Sequence, residues 1–142
     1  MGLSAKTEYA CLAVLDLATA KASSEPVRVR CIAEAHGIPA RFLVQILLQL
    51  KGAGMVASTR GAAGGYRLAR DPATLSVWDV MCVVEGSEMP LASNAGVSTA
   101  ASEILLETWR LAAARQREIL QATTFADLAD RVRGQTAMMY YI

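Results

Sequence analysis

Residues 30 to 70 read RCIAEAHGIPARFLVQILLQLKGAGMVASTRGAAGGYRLAR, a succession of helix, tight turn, helix and glycine-tipped hairpin. Two short amphipathic segments meet at His36-Gly37-Ile38-Pro39. Gly37 suits a left-handed helix end, and Pro39 is tolerated in the first turn of the helix that follows. Helical spacing on the second segment places Phe42, Ile46, Leu47 and Leu50 on a buried face and leaves Arg41, Gln45, Gln49 and Lys51 outside. A short glycine-containing turn followed by a helix with Arg and Gln near its start is the pattern of a helix-turn-helix. Arg can bridge the two acceptors of guanine, and Gln the donor and acceptor of adenine. Val44, beside Gln45, is apolar and would meet either a thymine methyl or the core.

The sequel strengthens this reading. Gly52 and Gly54 end the second helix, Met55 to Ser58 alternates as a short strand, Gly61 to Gly65 forms an all-small turn, and Tyr66 to Leu68 returns. A hairpin at this place is a wing. Ser58, Thr59, Arg60 and Gly61 at its outgoing shoulder, and Arg67 on its return, stand where a wing could touch a phosphate or enter a minor groove. The alternative is a hairpin that merely connects two elements.

Charge distribution favours the wing. Residues 26 to 70 carry seven basic side chains (Arg28, Arg30, Arg41, Lys51, Arg60, Arg67 and Arg70) against the single acid Glu34, a net +6. The whole chain has 14 basic and 13 acidic residues, so the remainder carries seven against twelve, a net −5. A near-neutral total thus conceals a basic module beside an acidic one, the footprint of a nucleic-acid binder joined to an assembly or regulatory region.

Four stretches, LSAKTEYACLAVLDLA, IAEAHGIPARFLVQIL, LKGAGMVASTRGAAGGYRLAR and LSVWDVMCVVEG, closely resemble the Rrf2 family of bacterial transcription regulators. Its members include the iron-sulfur cluster regulator, a nitric-oxide-sensitive repressor and a cysteine-metabolism repressor. The specific motifs fall within residues 3 to 86, and the long helix beyond them matches more loosely. The resemblance implies a winged-helix DNA-binding domain, a dimerisation helix, and homodimers on palindromic promoter sites. It also implies that the start of the first helix lies near the DNA backbone, which carries over to Ser4 and Lys6; Ser4 is equally explained as a helix cap. The DNA-facing set is accordingly Ser4, Lys6, Arg28, Pro39, Arg41, Phe42, Gln45, Lys51, Ser58, Thr59, Arg60 and Gly61, with Phe42 counted here as well as on the buried face.

The first helix presents Tyr9, Leu12, Ala13, Leu17 and Ala20 as an apolar stripe. After the break at Asp71-Pro72, Leu75, Val77, Trp78, Val80, Met81, Val83 and Val84 read as a buried helix over the winged domain. Residues 86 to 99, GSEMPLASNAGVST, read as a flexible loop. From Ala101 to about Ala122 the pattern is helical again, with Leu105, Trp109, Ala112, Gln116 and Ile119 on one stripe and Leu106 beside it. Roughly 22 helical residues extend about 33 Å, too far to be buried against so small a domain. The stripe therefore needs a partner: the same helix of a second chain, which the resemblance favours, or a hairpin with the terminal helix that starts at Thr124-Phe125-Ala126-Asp127. The expected fold is mainly α with a small β-hairpin wing, divided into a winged helix-turn-helix domain (1–85), a loop (86–100), and a dimerisation helix with a C-terminal helix (101–142).

Cluster-binding members of the family carry three closely spaced cysteines in the loop before the long helix. Here Cys11, Cys31 and Cys82 are far apart and residues 85 to 102 contain none, so no metal site and no cofactor are expected, even though Glu8 occupies a position from which some relatives supply a carboxylate ligand. Cys11 and Cys82 lie in apolar patterns. Cys31 sits beside Arg28 and Arg30 at a helix start, both of which favour a thiolate, and it is the candidate for a redox role. One histidine, no nucleophile elbow and no phosphate-binding glycine loop argue against an enzyme. No run of about 20 apolar residues suits a membrane span, and the charged N-terminus is unlike a signal peptide, so a cytoplasmic location is expected. The reading is a homodimeric, sequence-specific regulator of double-stranded DNA, a repressor whose signal comes from a small-molecule or protein effector. The alternative is a winged-helix protein-interaction module that does not bind DNA specifically.

Overall fold

A computed structural model describes residues 2–20, 25–86 and 91–140 of the chain. Helices α1 (Ala5–Thr19), α2 (Val29–His36) and α3 (Ala40–Gly52) precede the antiparallel strands β1 (Val56–Thr59) and β2 (Gly65–Leu68). Then follow α4 (Val77–Glu85), α5 (Ala100–Ala122) and α6 (Phe125–Tyr140). The fold is mainly α with a two-stranded wing, as the sequence predicts.

Local signals explain most boundaries. Ser4 caps α1, its hydroxyl accepting from Thr7 N–H at 3.1 Å. Gly37 ends α2 with a left-handed φ of 65°, the conformation its lack of a Cβ permits. Pro39 stands one position outside its expected place: it is the N-cap of α3 (φ −60°, ψ 123°), and the helix starts at Ala40. Reciprocal Ser–Asp and Thr–Ser capping boxes open α4 at Ser76/Asp79 and α5 at Thr99/Ser102. Thr124 caps α6 by accepting from Asp127 N–H at 3.1 Å.

The core gathers Ala10, Ala13, Val14 and Leu17 of α1, Ile32 of α2, Leu43, Ile46, Leu47 and Leu50 of α3, Val80 and Val84 of α4, and Phe125 and Ala129 of α6. Two expected stripes are corrected. On α1 the buried face is Thr7, Ala10, Ala13, Val14, Leu17 and Ala18, whereas Tyr9, Leu12 and Ala20 are only half-buried. This helix packs against α3, α4 and α6 at once, and its small residues let those neighbours approach closely. On α3 the buried register begins at Leu43, and Phe42 is 49% exposed. One residue is a rotation of about 100° on a helix, enough to turn Phe42 out of the face that Leu43, Ile46, Leu47 and Leu50 share.

α6 packs on α1, and Arg133 of α6 donates to the carbonyls of Ala18 and Thr19 at the end of α1, each at 3.2 Å. A cation there offsets the partial negative charge of the helix terminus. The α5–α6 corner is stitched to the start of α4: Val77 N–H donates to Thr123 O and Phe125 N–H to Leu75 O, both at 3.0 Å. α5 itself packs on α4, where the Arg117 guanidinium lies 5.1 Å from the Trp78 ring centre, yet no residue of α5 is fully buried. Residues 91–99 are neither helix nor strand, and residues 87–90 of the loop expected between 86 and 99 lie outside the described residues.

Candidate nucleic-acid interface

The recognition helix α3 and the wing meet through their polar side chains. Lys51, in the last turn of α3, donates to Ser58 Oγ of β1 at 2.7 Å, and Arg67 reaches Thr59 Oγ1 at 3.5 Å across the hairpin. The strand register pairs Val56 with Leu68 and Thr59 with Gly65, so the turn falls on residues 60–64. Val27 lies against β2 as well, exchanging hydrogen bonds with Tyr66 at 2.8 and 2.7 Å. That approach requires Gly65, where an added Cβ would stand 2.5 Å from Val27 O. Beside it, the Arg28 guanidinium donates to the Ala62 carbonyl in the wing turn. The wing is therefore tied at its base, its middle and its tip.

On this frame Arg41, Gln45 and Lys51 are exposed along α3, and Ser58, Thr59, Arg60 and Gly61 are exposed at the wing. Arg60 makes no hydrogen bond or ion pair to another described residue, so its charge is available. Pro39 is exposed at the start of α3. Lys6 of α1 comes to the same region: Ala5, Lys6 and Tyr9 of α1 and Phe42, Gln45 and Ile46 of α3 line a cleft of about 360 Å³. The Arg41 guanidinium lies 5.0 Å from the centre of the Phe42 ring, within cation–π range.

Two positions behave differently from the rest of the set. Ser4 caps α1 and also donates to a carboxylate oxygen of Glu85, which accepts from Thr7 Oγ1 at 2.6 Å as well. The hydrogen bonds from Ser4 and then Thr7, with the nearby charge of Lys6, hold the Glu85 carboxyl below its ordinary pKa. Arg28, as described, is turned onto the wing. Sequence reasoning missed Tyr9 as a cleft wall, Leu48 as an exposed apolar residue on α3, and Glu85 as the tie between α1 and α4. None carries a local signal, because each role arises from elements distant in sequence.

The apolar stripe expected on α5 is open. Leu105, Trp109 and Ile119 are large and exposed, Gln116 is exposed, and Leu106 and Ala112 are half-buried. Ile104 and Leu111 widen the apolar surface. Next to the stripe a hollow of about 670 Å³ opens between α1, α4, α5 and α6, lined by Leu12, Leu15, Met81, Leu120 and Leu128 with Glu8 among its polar groups.

A family model described as an iron-dependent transcriptional regulator, Rrf2, matches residues 3–131. Protein Rv1287 of Mycobacterium tuberculosis, whose name places it provisionally among HTH-type transcriptional regulators, is 41% identical over 135 residues, covering 91% of this chain and 81% of the relative. The HTH-type transcriptional regulator CymR of Bacillus subtilis is 32% identical over 143 residues and the full length of both chains. Among solved structures, CymR, the global cysteine regulator of B. subtilis, superposes with a TM-score of 0.77 at 30% identity, over 92% of this chain and 98% of that one. IscR of T. potens does so with a TM-score of 0.73 at 30% identity, over 93% and 88%.

The donor set of this chain does not fit an iron–sulfur cluster. Residues 86–102 hold no cysteine. Cys11 is half-buried, and burial pushes its thiol up to about 11, away from the thiolate a cluster needs. Cys31 is exposed on α2, and the two arginines beside it have other partners: Arg28 the Ala62 carbonyl, Arg30 the Glu34 carboxylate at 2.8 Å. His36 Nε2 sits 2.8 Å from Asp16 Oδ2. Among the described residues, no three His, Cys, Asp or Glu side chains stand together as a metal ion would require. Among them, too, no helix is long and apolar enough to cross a membrane. The specific match across residues 3–131, the winged helix-turn-helix and the agreement with CymR and IscR structures lead to one conclusion: the chain belongs to the Rrf2 family of DNA-binding transcription regulators.

Proposed function

We propose that the protein is a sequence-specific regulator that binds a palindromic promoter site as a homodimer and represses by occupying it. What supports this reading is that Lys6 of α1 shares a cleft with Phe42 and Gln45 of α3, that Lys51 bonds α3 to the wing, and that Arg41, Gln45, Lys51 and Arg60 are exposed within residues 26–70, where the one acid is Glu34. α3 enters the major groove, Gln45 and Arg41 face base edges, and Arg60 reaches phosphate or the minor groove. A second copy covers Leu105, Trp109 and Ile119, and two-fold symmetry then sets two α3 helices one DNA turn apart, about 34 Å, or a multiple of that. The effector, a small molecule or a protein, acts away from the DNA face. No cluster takes part, because the donors above do not converge.

Anisotropy titration of the intact protein on duplexes recovered from a random pool tests the reading. Expected are a recovered inverted repeat, a dimeric mass on the DNA, and an affinity that falls steeply with salt as counterions are released. Transcription in vitro from a promoter carrying the site should fall as the protein is added. A pool that returns no consensus, with weak salt-insensitive binding, would instead support the protein-docking alternative.

A further inference from the structure

Phe42 is a large apolar side chain in the first turn of the recognition helix, and about half of it faces solvent. The core does not account for it, since Leu43, Ile46, Leu47 and Leu50 already supply the buried register of α3. Its surroundings are those of the DNA face: Lys6 and Gln45 share its cleft, and the Arg41 guanidinium is stacked on its ring.

We propose that Phe42 packs against the 5-methyl group of a thymine while the stacked Arg41 takes the guanine of the adjacent base pair, so that neighbouring T·A and G·C pairs are read as one unit. This deepens the DNA-binding reading above and rests on it. The chemistry is complementary on both sides. Thymine's methyl is the apolar feature of the major-groove edge, and an aromatic ring can cover it; the O6 and N7 acceptors of guanine suit a guanidinium. First-turn residues of a recognition helix are those that reach base edges. The stack adds preorganisation, because an Arg already held on an aromatic face loses less freedom when it binds than one moving freely. It also places the charged and the apolar reader side by side, which is why the two base pairs must be neighbours. Val44 is the competing apolar residue; it is 39% exposed, and its aliphatic side chain offers no ring face on which an arginine could stack.

The test uses the full chain and the duplex recovered from a random pool, with each thymine replaced in turn by deoxyuridine, which removes only the methyl. At one thymine beside a guanine, the wild-type protein should lose about fourfold in affinity, the effect of withdrawing one buried methyl. Phe42→Ala should bind the thymine and uracil duplexes equally, Phe42→Leu should restore part of the preference, and Val44→Ala should keep it. Replacing the adjacent guanine by 7-deazaguanine should weaken the wild type and leave Arg41→Ala unaffected. The proposal is overturned if no deoxyuridine matters to the wild type, or if Val44→Ala rather than Phe42→Ala removes the sensitivity. The first of these is measured on the unaltered protein and needs no variant to fold. A recovered consensus without methyl sensitivity sinks this inference and leaves DNA reading intact, whereas a pool without any consensus sinks both.

Discussion

The Arg28 guanidinium donates to the Ala62 carbonyl, joining the residue that precedes α2 to the turn of the wing. A cation in a basic surface is thereby spent on positioning the hairpin. Arg60, two residues before Ala62, has its charge available for DNA.

The two arginines should therefore differ in salt response. Arg60→Ala should cost about 1 to 3 kcal/mol of specific binding and lower the slope of log affinity against log salt by about one. Arg28→Ala should weaken specific binding by about 1 kcal/mol, the worth of one hydrogen bond from a charged donor at the surface, with the slope unchanged. Gel-shift titrations at several salt concentrations measure both, and an equal loss of slope would place Arg28 on phosphate.

The tie between Glu85 and the start of α1 predicts a pH effect. Because the folded carboxyl is held below its ordinary pKa by Ser4 and Thr7, its stabilising contribution is complete above the unfolded carboxyl's pKa and is lost as pH falls through the folded value. Glu85→Gln should lower the melting temperature by a few degrees at neutral pH. The difference between the two proteins should therefore shrink progressively as pH falls below the unfolded carboxyl's value of about 4.3. A difference that persists unchanged in acid would mean that the carboxylate charge is not what matters.

Phe125 is fully buried in the core that α1, α3 and α4 build, although it belongs to α6. Phe125→Ala should cost about 3 to 5 kcal/mol, the usual penalty for emptying an aromatic site. Chemical denaturation monitored by circular dichroism would show it as an earlier midpoint of the whole transition. A separate early phase, with the remaining helices unaffected, would show that α6 unfolds on its own.

Trp109 leaves 47% of its surface exposed in the single chain, in line with Leu105 and Ile119. Trp109→Ala should weaken dimerisation by about 2 kcal/mol or more and, through loss of paired half-sites, weaken operator binding too. Analytical ultracentrifugation across micromolar concentrations follows the first effect and titration on one versus two half-sites the second. A wild-type protein monomeric throughout that range would refute the assembly role of this face.

Much of the fold was legible in order of appearance. Gly37, the glycines after Lys51 and the small turn before Tyr66 act through their own backbone, and Ser4 caps α1 through its hydroxyl on an amide three residues on, so these consequences do not depend on distant neighbours. α5 ran almost as predicted because a long periodic segment is specified many times over; its start moved by one residue to follow the Thr99 cap. Phe42 was misplaced for the opposite reason. Spacing alone allows two adjacent registers on a helix of 13 residues, and only the packing of α1 and α4 selects the one through Leu43.

By itself, then, the chain determined a helix-turn-helix with a wing, its basic character, and the want of clustered thiols, since composition and short-range backbone preference are local properties. Tertiary structure alone decided that Arg28 holds the wing rather than standing free, that Glu85 closes on the start of α1, that Lys6 shares a cleft with Phe42 and Gln45, and that α6 completes the core through Phe125. Each of these joins residues from separate elements, and such a contact exists only once burial of the shared core has fixed how the helices cross.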